Sequence, residues 1–162
     1  MLGVPGLDAF GVVHAGVGIL ALFLGVFVVV LGKGTNLHRR IGLCYVIAMV
    51  LLNATAMWIY DLTGRFGPFH VAALVSLVTL LAGYLPVLFR RHFTEWVALH
   101  GIFMSWSYVG LVAAFLAELA VRVPGLGFSP AVIGATVIAV TGGAVLIHTR
   151  VPTLARQLAW KK

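Results

Sequence analysis

Histidine is the residue type with the most chemistry to offer in this chain, which has six histidines and only four acids. Imidazole carries protons near neutral pH and ligates metals and haem. Every histidine stands at or near an end of an apolar stretch: His14, His38, His70, His92, His100 and His148. This spacing predicts two layers of ionisable groups.

One predicted layer also holds carboxylates. Its members are two histidines and three acids: His14, His70, Asp8, Asp61 and Glu118. Imidazoles and carboxylates together can bind zinc, copper or iron, or relay protons. We therefore take His14, His70, Asp61 and Glu118 as candidate metal ligands. The alternative is a hydrated rim in which these groups face water or pair with arginines such as Arg122.

The other predicted layer holds His92 and a single acid, Glu95, in one loop, and three further histidines, namely His38, His100 and His148. Together with His14 and His70 these three are candidate ligands of b-type haem or a metal ion, and two layers would let electrons cross a membrane. Glycines beside His14 and His100 suit the close approach of a flat porphyrin. They also suit helix packing alone, and that alternative stays open.

Helical periodicity predicts which of these side chains turn inward. At 3.6 residues per turn, His100, Ser107 and Glu118 lie within about 20° of one another, on a stripe that joins both layers. His148 and Thr141 likewise share one face. Because lipid offers polar groups no partner, we expect both faces inside a bundle. The stripe also permits a proton or ion path.

The composition shows what must position these residues. Of 162 residues, 62% are hydrophobic and 9% are charged, against roughly 25% charged in a soluble domain. The mean hydropathy is +1.10. The solvent must therefore be a bilayer, and the net charge of +7 reports topology rather than a nucleic-acid partner.

Five stretches without Asp, Glu, Lys or Arg are each long enough for the ~20 residues of a spanning helix. We predict one all-α domain over residues 1–162, a polytopic membrane bundle of five transmembrane helices with a short basic tail, 150–162. The spans are 9–32, 41–60, 68–89, 96–119 and 129–149, and the fourth extends past its charge-free stretch to include Glu118. No nucleotide-binding, zinc-protease or nucleophile-elbow motif occurs, so the sequence does not indicate soluble-cofactor enzymology.

The basic residues predict the orientation of the bundle. Nine of the eleven lie on one side: Lys33, Arg39, Arg40, Arg90, Arg91, Arg150, Arg156, Lys161 and Lys162. Only Arg65 and Arg122 lie on the other side. By the positive-inside rule the amino terminus is outside and the tail is cytoplasmic. No Lys or Arg precedes Lys33, so we interpret the first stretch as a retained helix rather than a signal peptide.

Three strings resemble one known family. They are Gly34-Thr-Asn-Leu-His-Arg-Arg-Ile-Gly42, Gly64-Arg-Phe-Gly-Pro-Phe-His70 and His100-Gly-Ile-Phe-Met-Ser-Trp-Ser-Tyr108. They resemble the bacterial predicted membrane proteins known as domain of unknown function 2306. The resemblance implies a multi-pass protein of the bacterial cytoplasmic membrane, with recurrent histidines at His38, His70 and His100 and no established activity. Many members have Arg where this chain has Gly101.

Three functions of different classes fit this pattern. The first is a redox protein with a histidine-ligated cofactor, either b-type haem or a divalent metal ion. The second is a non-enzymatic accessory or assembly subunit, as a homo-oligomer or within a larger membrane complex. The third is a small proton or ion pathway along the stripe of His100, Ser107 and Glu118.

Overall fold

Helices make up the regular structure of the chain in a computed structural model, which describes residues 9–60 and 64–159. The elements are α1 (Ala9–Val30), α2 (Asn36–Ala56), α3 (Pro68–Leu88), α4 (Trp96–Ala120) and α5 (Phe128–Ala159). No strand occurs within those two ranges. The predicted all-α class is confirmed.

All five helices are long and apolar enough to cross a membrane. Many of their large apolar side chains face outward, such as Val30 and Ile138, which are 76% and 70% exposed. Water would oppose so much exposed apolar surface, whereas lipid tails accommodate it. The prediction of five membrane-spanning helices is confirmed.

Two helix ends lie five or more residues from the ends of the predicted spans. Helix α2 begins at Asn36 rather than residue 41, because the Thr35 hydroxyl accepts the backbone N–H of His38 at 3.1 Å and caps the first turn. His38 and the two arginines after it are therefore helical. Helix α5 continues through the basic tail to Ala159. Charge marks a span, but a cap and local propensity decide where a helix ends.

The end of α1 is capped by a lysine from the connection to α2. The ammonium group of Lys33 donates to the carbonyl oxygens of Val28 at 2.7 Å and Val29 at 2.6 Å. A cation at a helix carboxyl end meets unpaired carbonyls and the negative end of the helix dipole. Burial lowers the pKa of Lys33.

The chain forms two compact units, and the first spans Met1–Leu77. In it α1 packs against α2 through small residues. Gly18 faces the Leu52 side chain, and Ala21 and Gly25 further along α1 are buried. The glycine face of α1 thus provides helix packing.

The second unit, Val78–Lys162, contains the rest of α3 with α4 and α5. Gly143 of α5 faces Val109 of α4 so closely that a Cβ would overlap the valine. On the same ridge Ala131 and Ala135 are buried. Gly83 of α3 also lies against Met104 of α4, where a Cβ would come within 2.9 Å of the methionine. Small residues hold this unit together as they do the first.

Candidate functional site

His70 is the most buried histidine among the residues whose exposure the structure describes, at 3% exposure. It is the third residue of α3, which begins at Pro68, a residue suited to the first helical position. Its ring turns back over the helix start, where Nδ1 accepts the backbone N–H of Gly67 at 3.1 Å. The side chain thereby satisfies a donor that the helix end leaves open.

That hydrogen bond fixes which ring nitrogen carries the proton. A neutral imidazole has one donor and one acceptor nitrogen. Because Nδ1 of His70 accepts, Nε2 carries the hydrogen. This Nε2–H is buried and meets no hydrogen-bond partner within the part of the chain that the structure describes. A buried donor without an acceptor costs about 1–3 kcal/mol, so this atom needs an explanation.

Two aromatic rings lie against the imidazole. The centroid of Tyr60 is 4.6 Å from that of His70 with 37° between the planes, and that of Phe66 is 5.0 Å away at 30°. Both aromatic residues are exposed on their other sides. We call His70, Tyr60, Phe66 and Gly67 the His70 site. Sequence reasoning singled out His70 but did not place Tyr60 and Phe66 beside it.

His14 has the opposite proton arrangement. Its Nδ1 lies 2.9 Å from the hydroxyl oxygen of Thr55 on α2. That hydroxyl also lies 2.9 Å from each of the carbonyl oxygens of Leu51 and Leu52 on its own helix, and its single hydrogen can be donated to one of them. With the hydrogen so placed, the hydroxyl oxygen accepts from Nδ1 of His14, which puts the lone pair of neutral His14 on Nε2.

A second polar pair joins α2 to α3 within the first unit. The Asn53 amide donates to the Ser76 hydroxyl at 3.2 Å. Asn53 is buried at 6% exposure. Neither this pair nor the partner of His14 was predicted. The signal for both is a polar residue inside an apolar stretch.

His100 lies in the second unit and resembles His14. Its Nδ1 is 2.9 Å from the carbonyl oxygen of Gly83. A carbonyl only accepts, so Nδ1 donates and the lone pair is on Nε2. Metal-binding histidines also anchor one ring N–H on an oxygen and turn the other nitrogen to the metal.

The predicted stripe on α4 is inward only in part. Ser107 is buried at 1% exposure. Glu118 instead forms an ion pair at 3.0 Å with Arg122, which follows the end of α4, and both side chains reach the surface. For Glu118 the structure thus favours the hydrated rim. Asp8 and Asp61 lie outside the described residues.

The expectation that His148 and Thr141 face inward is wrong, because both are exposed. Small residues of α5, such as Ala135 and Gly143, take the inward positions and leave the polar face outside. His38 is half-buried at the start of α2. No group of three or more His, Cys, Asp or Glu side chains that could hold a metal occurs in the described ranges.

The length and apolar composition of the five helices define the class of the protein, an integral membrane protein of five spanning helices. A family model described as "Predicted membrane protein (DUF2306)" matches residues 11–155, and the chain belongs to that family. The resemblance of the three strings is thereby confirmed. No curated protein and no solved structure matches the chain.

Proposed function

We propose that this chain is a membrane-embedded binding protein that holds a small apolar molecule through an oxygen acceptor at His70. The observation that carries this proposal is the buried Nε2–H of His70, which meets no acceptor in the described part of the chain. Buried polar groups in native proteins are almost always hydrogen-bonded. An acceptor oxygen on a ligand would satisfy this donor.

The location of His70 suits a ligand that dissolves in the bilayer. The residue lies within the first turn of a membrane-spanning helix. A molecule with a polar head and an apolar body would place its head at such a helix end and its body along the span. Water is scarce inside a bilayer, so a ligand oxygen has little competition for the donor.

The tautomer of His70 favours this role over metal ligation at the same atom. A metal would need the lone pair of Nε2, which requires the proton to move to Nδ1. Nδ1 would then point an N–H at the N–H of Gly67, and their hydrogen bond would be lost. His70 as it stands offers a proton, which fits an acceptor oxygen.

The test is His70→Asn, which removes the donor and keeps the helix cap. An asparagine oxygen can accept the Gly67 N–H as Nδ1 does, but the shorter side chain has no donor at the Nε2 position. Wild type and variant are purified in mild detergent, and solvent extracts are compared by mass spectrometry. We expect a co-purifying molecule in the wild type and at least about tenfold less in the variant, a difference of ~1.4 kcal/mol.

The matched control is His92→Asn, at an exposed histidine between α3 and α4. It should carry the same amount of the molecule as wild type. Equal loading of His70→Asn and wild type, with both folded, overturns the proposal. So does an extract of the wild type that contains nothing dependent on His70.

A second test asks whether the chain supplies its own acceptor. Asp61 follows Tyr60 directly in sequence, and a carboxylate there is the alternative acceptor. We expect Asp61→Ala, which removes the acceptor oxygens, and His70→Asn to change stability additively, within about 0.5 kcal/mol. A double-mutant coupling energy above about 1 kcal/mol would assign the Nε2–H to Asp61 and overturn the ligand.

Histidine ligation of b-type haem or a divalent metal ion is a second candidate function. It is supported by His14 and His100, each of which anchors Nδ1–H on an oxygen in the manner of metal-binding histidines. His14→Asn and His100→Asn keep that donor and remove Nε2. A haem band in an oxidised-minus-reduced spectrum, or bound metal by elemental analysis, should decrease in these variants. A folded, colourless and metal-free wild type excludes this candidate.

A further inference from the structure

We infer that the ligand of the His70 site is a quinone, a flat conjugated dione on an apolar tail. This inference rests on the proposed function and specifies its ligand. Three properties of the site lead to it: the charge state of the donor, the aromatic rings beside it and the apolar helix face that follows it.

The donor selects a neutral acceptor. His70 is neutral as the Nε2–H tautomer, and its ring is buried against two aromatic side chains. A phosphate or carboxylate would bring a full charge to this place, and burying an unpaired charge is far more costly than burying a carbonyl. A ketone or ester carbonyl therefore fits better than an anionic headgroup.

The aromatic rings select a flat acceptor. Tyr60 and Phe66 lie against His70 and keep large exposed surfaces. Conjugated rings stack in offset or tilted arrangements with such side chains. A quinone head can use both features, because its carbonyl oxygen accepts the Nε2–H while its ring stacks. A glycerolipid ester can use only the first.

The start of α3 offers a path for an apolar tail. Val71, Leu74 and Val75 are exposed in the turns after His70, at the spacing of one helix face. A tail along this face would remain in the hydrocarbon of the bilayer. Nε2 itself lies beneath the surface, so the head can reach it only when a neighbouring side chain moves.

The experiment measures binding of menaquinone-4 to the protein in lipid nanodiscs by quenching of tryptophan fluorescence. Of the four tryptophans, Trp58 is the nearest in sequence to the site, two residues before Tyr60. The His70→Asn variant in identical nanodiscs corrects for quinone that merely partitions into lipid. We expect wild type to bind at least about tenfold more tightly than His70→Asn.

Phe66→Leu tests the stacking, and we expect binding to weaken about three- to tenfold. Its matched control is Phe27→Leu on α1, since both phenylalanines are 53% exposed, and this control should bind like wild type. A structural effect of Phe66→Leu is separated by repeating the titration with Phe66→Tyr, which adds no tryptophan. That variant restores an aromatic face and should bind within about threefold of wild type.

The quinone and the proposed binding function can fail separately. Monoolein, which has an ester carbonyl and no conjugated ring, is the competing probe. If monoolein displaces the co-purified molecule as well as menaquinone-4 does, and Phe66→Leu does not weaken binding, the assignment of the ligand as a quinone is wrong. The proposed binding function would still hold. A co-purified molecule without a quinone head leads to the same conclusion. If nothing binds in a His70-dependent way, both fail.

Discussion

His70 in the first unit and His100 in the second both lie near the start of a helix, yet their ring nitrogens have opposite hydrogen-bonding roles. Nδ1 of His70 accepts a backbone N–H from Gly67. Nδ1 of His100 donates to the backbone carbonyl of Gly83. The first therefore offers Nε2–H and the second a lone pair. The backbone group within reach, rather than the residue type, decides what each histidine can bind.

The difference separates two kinds of chemistry. A donor at His70 suits a neutral oxygen acceptor, whereas an acceptor at His100 suits a metal or a proton. The neighbours differ accordingly. His70 lies against exposed aromatic rings, and His100 lies in a closely packed helix contact with Gly83 and Met104. A ligand site needs movable neighbours, and on that criterion His70 is the better candidate.

The largest effect should come from Gly83→Ala. A Cβ there would lie 2.9 Å from the backbone nitrogen of Met104, so the two helices must move apart and His100 loses its acceptor geometry. We expect a loss of about 1–3 kcal/mol in a detergent unfolding titration. His70-dependent ligand binding should survive.

The control for that substitution is Gly110→Ala on α4, where a Cβ meets nothing within 4 Å. Alanine is a better helix former than glycine, so this variant should be neutral or more stable. If Gly83→Ala and Gly110→Ala change the stability equally, there is no close contact between Gly83 and Met104 that excludes a Cβ.

A direct comparison of the two histidines should give the next largest effect. His100→Leu leaves the Gly83 carbonyl without its side-chain donor and should cost about 1 kcal/mol. His70→Leu removes an unsatisfied donor together with a helix cap, and the two changes oppose each other. We expect a change within about 0.5 kcal/mol in ligand-free protein, by equilibrium unfolding. A larger loss at His70 than at His100 would show that Nε2–H has an acceptor within the protein.

Much of the fold follows from the sequence, because a span needs only length and the exclusion of charge. The five helices and the glycine face of α1 are of this kind. The prediction for the face of α5 is wrong for a physical reason. It requires polar residues to turn inward, but His148 and Thr141 are exposed while alanines and glycine pack against α4.

The sequence predicts which residues are candidates for the site, but not what each of them does there. Sequence identifies His70 and His100 as candidates, and both have specific hydrogen bonds. It cannot distinguish their roles, because the tautomer depends on whether a backbone N–H or C=O lies beside Nδ1. The Thr55 partner of His14 was missed for a related reason. Threonine is common in spans, where its hydroxyl can simply bond to its own helix.

Thr55→Val tests whether His14 belongs with His100. The valine is similar in shape and removes the acceptor of the His14 Nδ1–H. A bond between helices in a membrane contributes ~0.6 kcal/mol on average, and we expect a loss near that value in the same unfolding assay. Thr55→Ser keeps the hydroxyl and should lose less than half as much. Equal losses would mean that the methyl group, and not the bond to His14, matters.

The smallest effect should come from the polar pair in the unit that contains His70. Asn53 donates to Ser76 at 3.2 Å, a long bond, so the coupling energy in a double-mutant cycle of Asn53→Leu and Ser76→Ala should be at most about 0.6 kcal/mol. The control is Ser105→Ala in the second unit. The Ser105 hydroxyl donates to the Gly101 carbonyl of its own helix, so this substitution should be near neutral.

Ser76→Ala should leave ligand binding intact, because the Ser76 hydroxyl holds helices together while the Nε2–H of His70 holds the ligand. A tenfold loss of binding in Ser76→Ala would mean that the binding site extends along α3 as far as Ser76. The first unit would then no longer contain a ligand site at His70 that is separate from the helix-packing contact at Ser76.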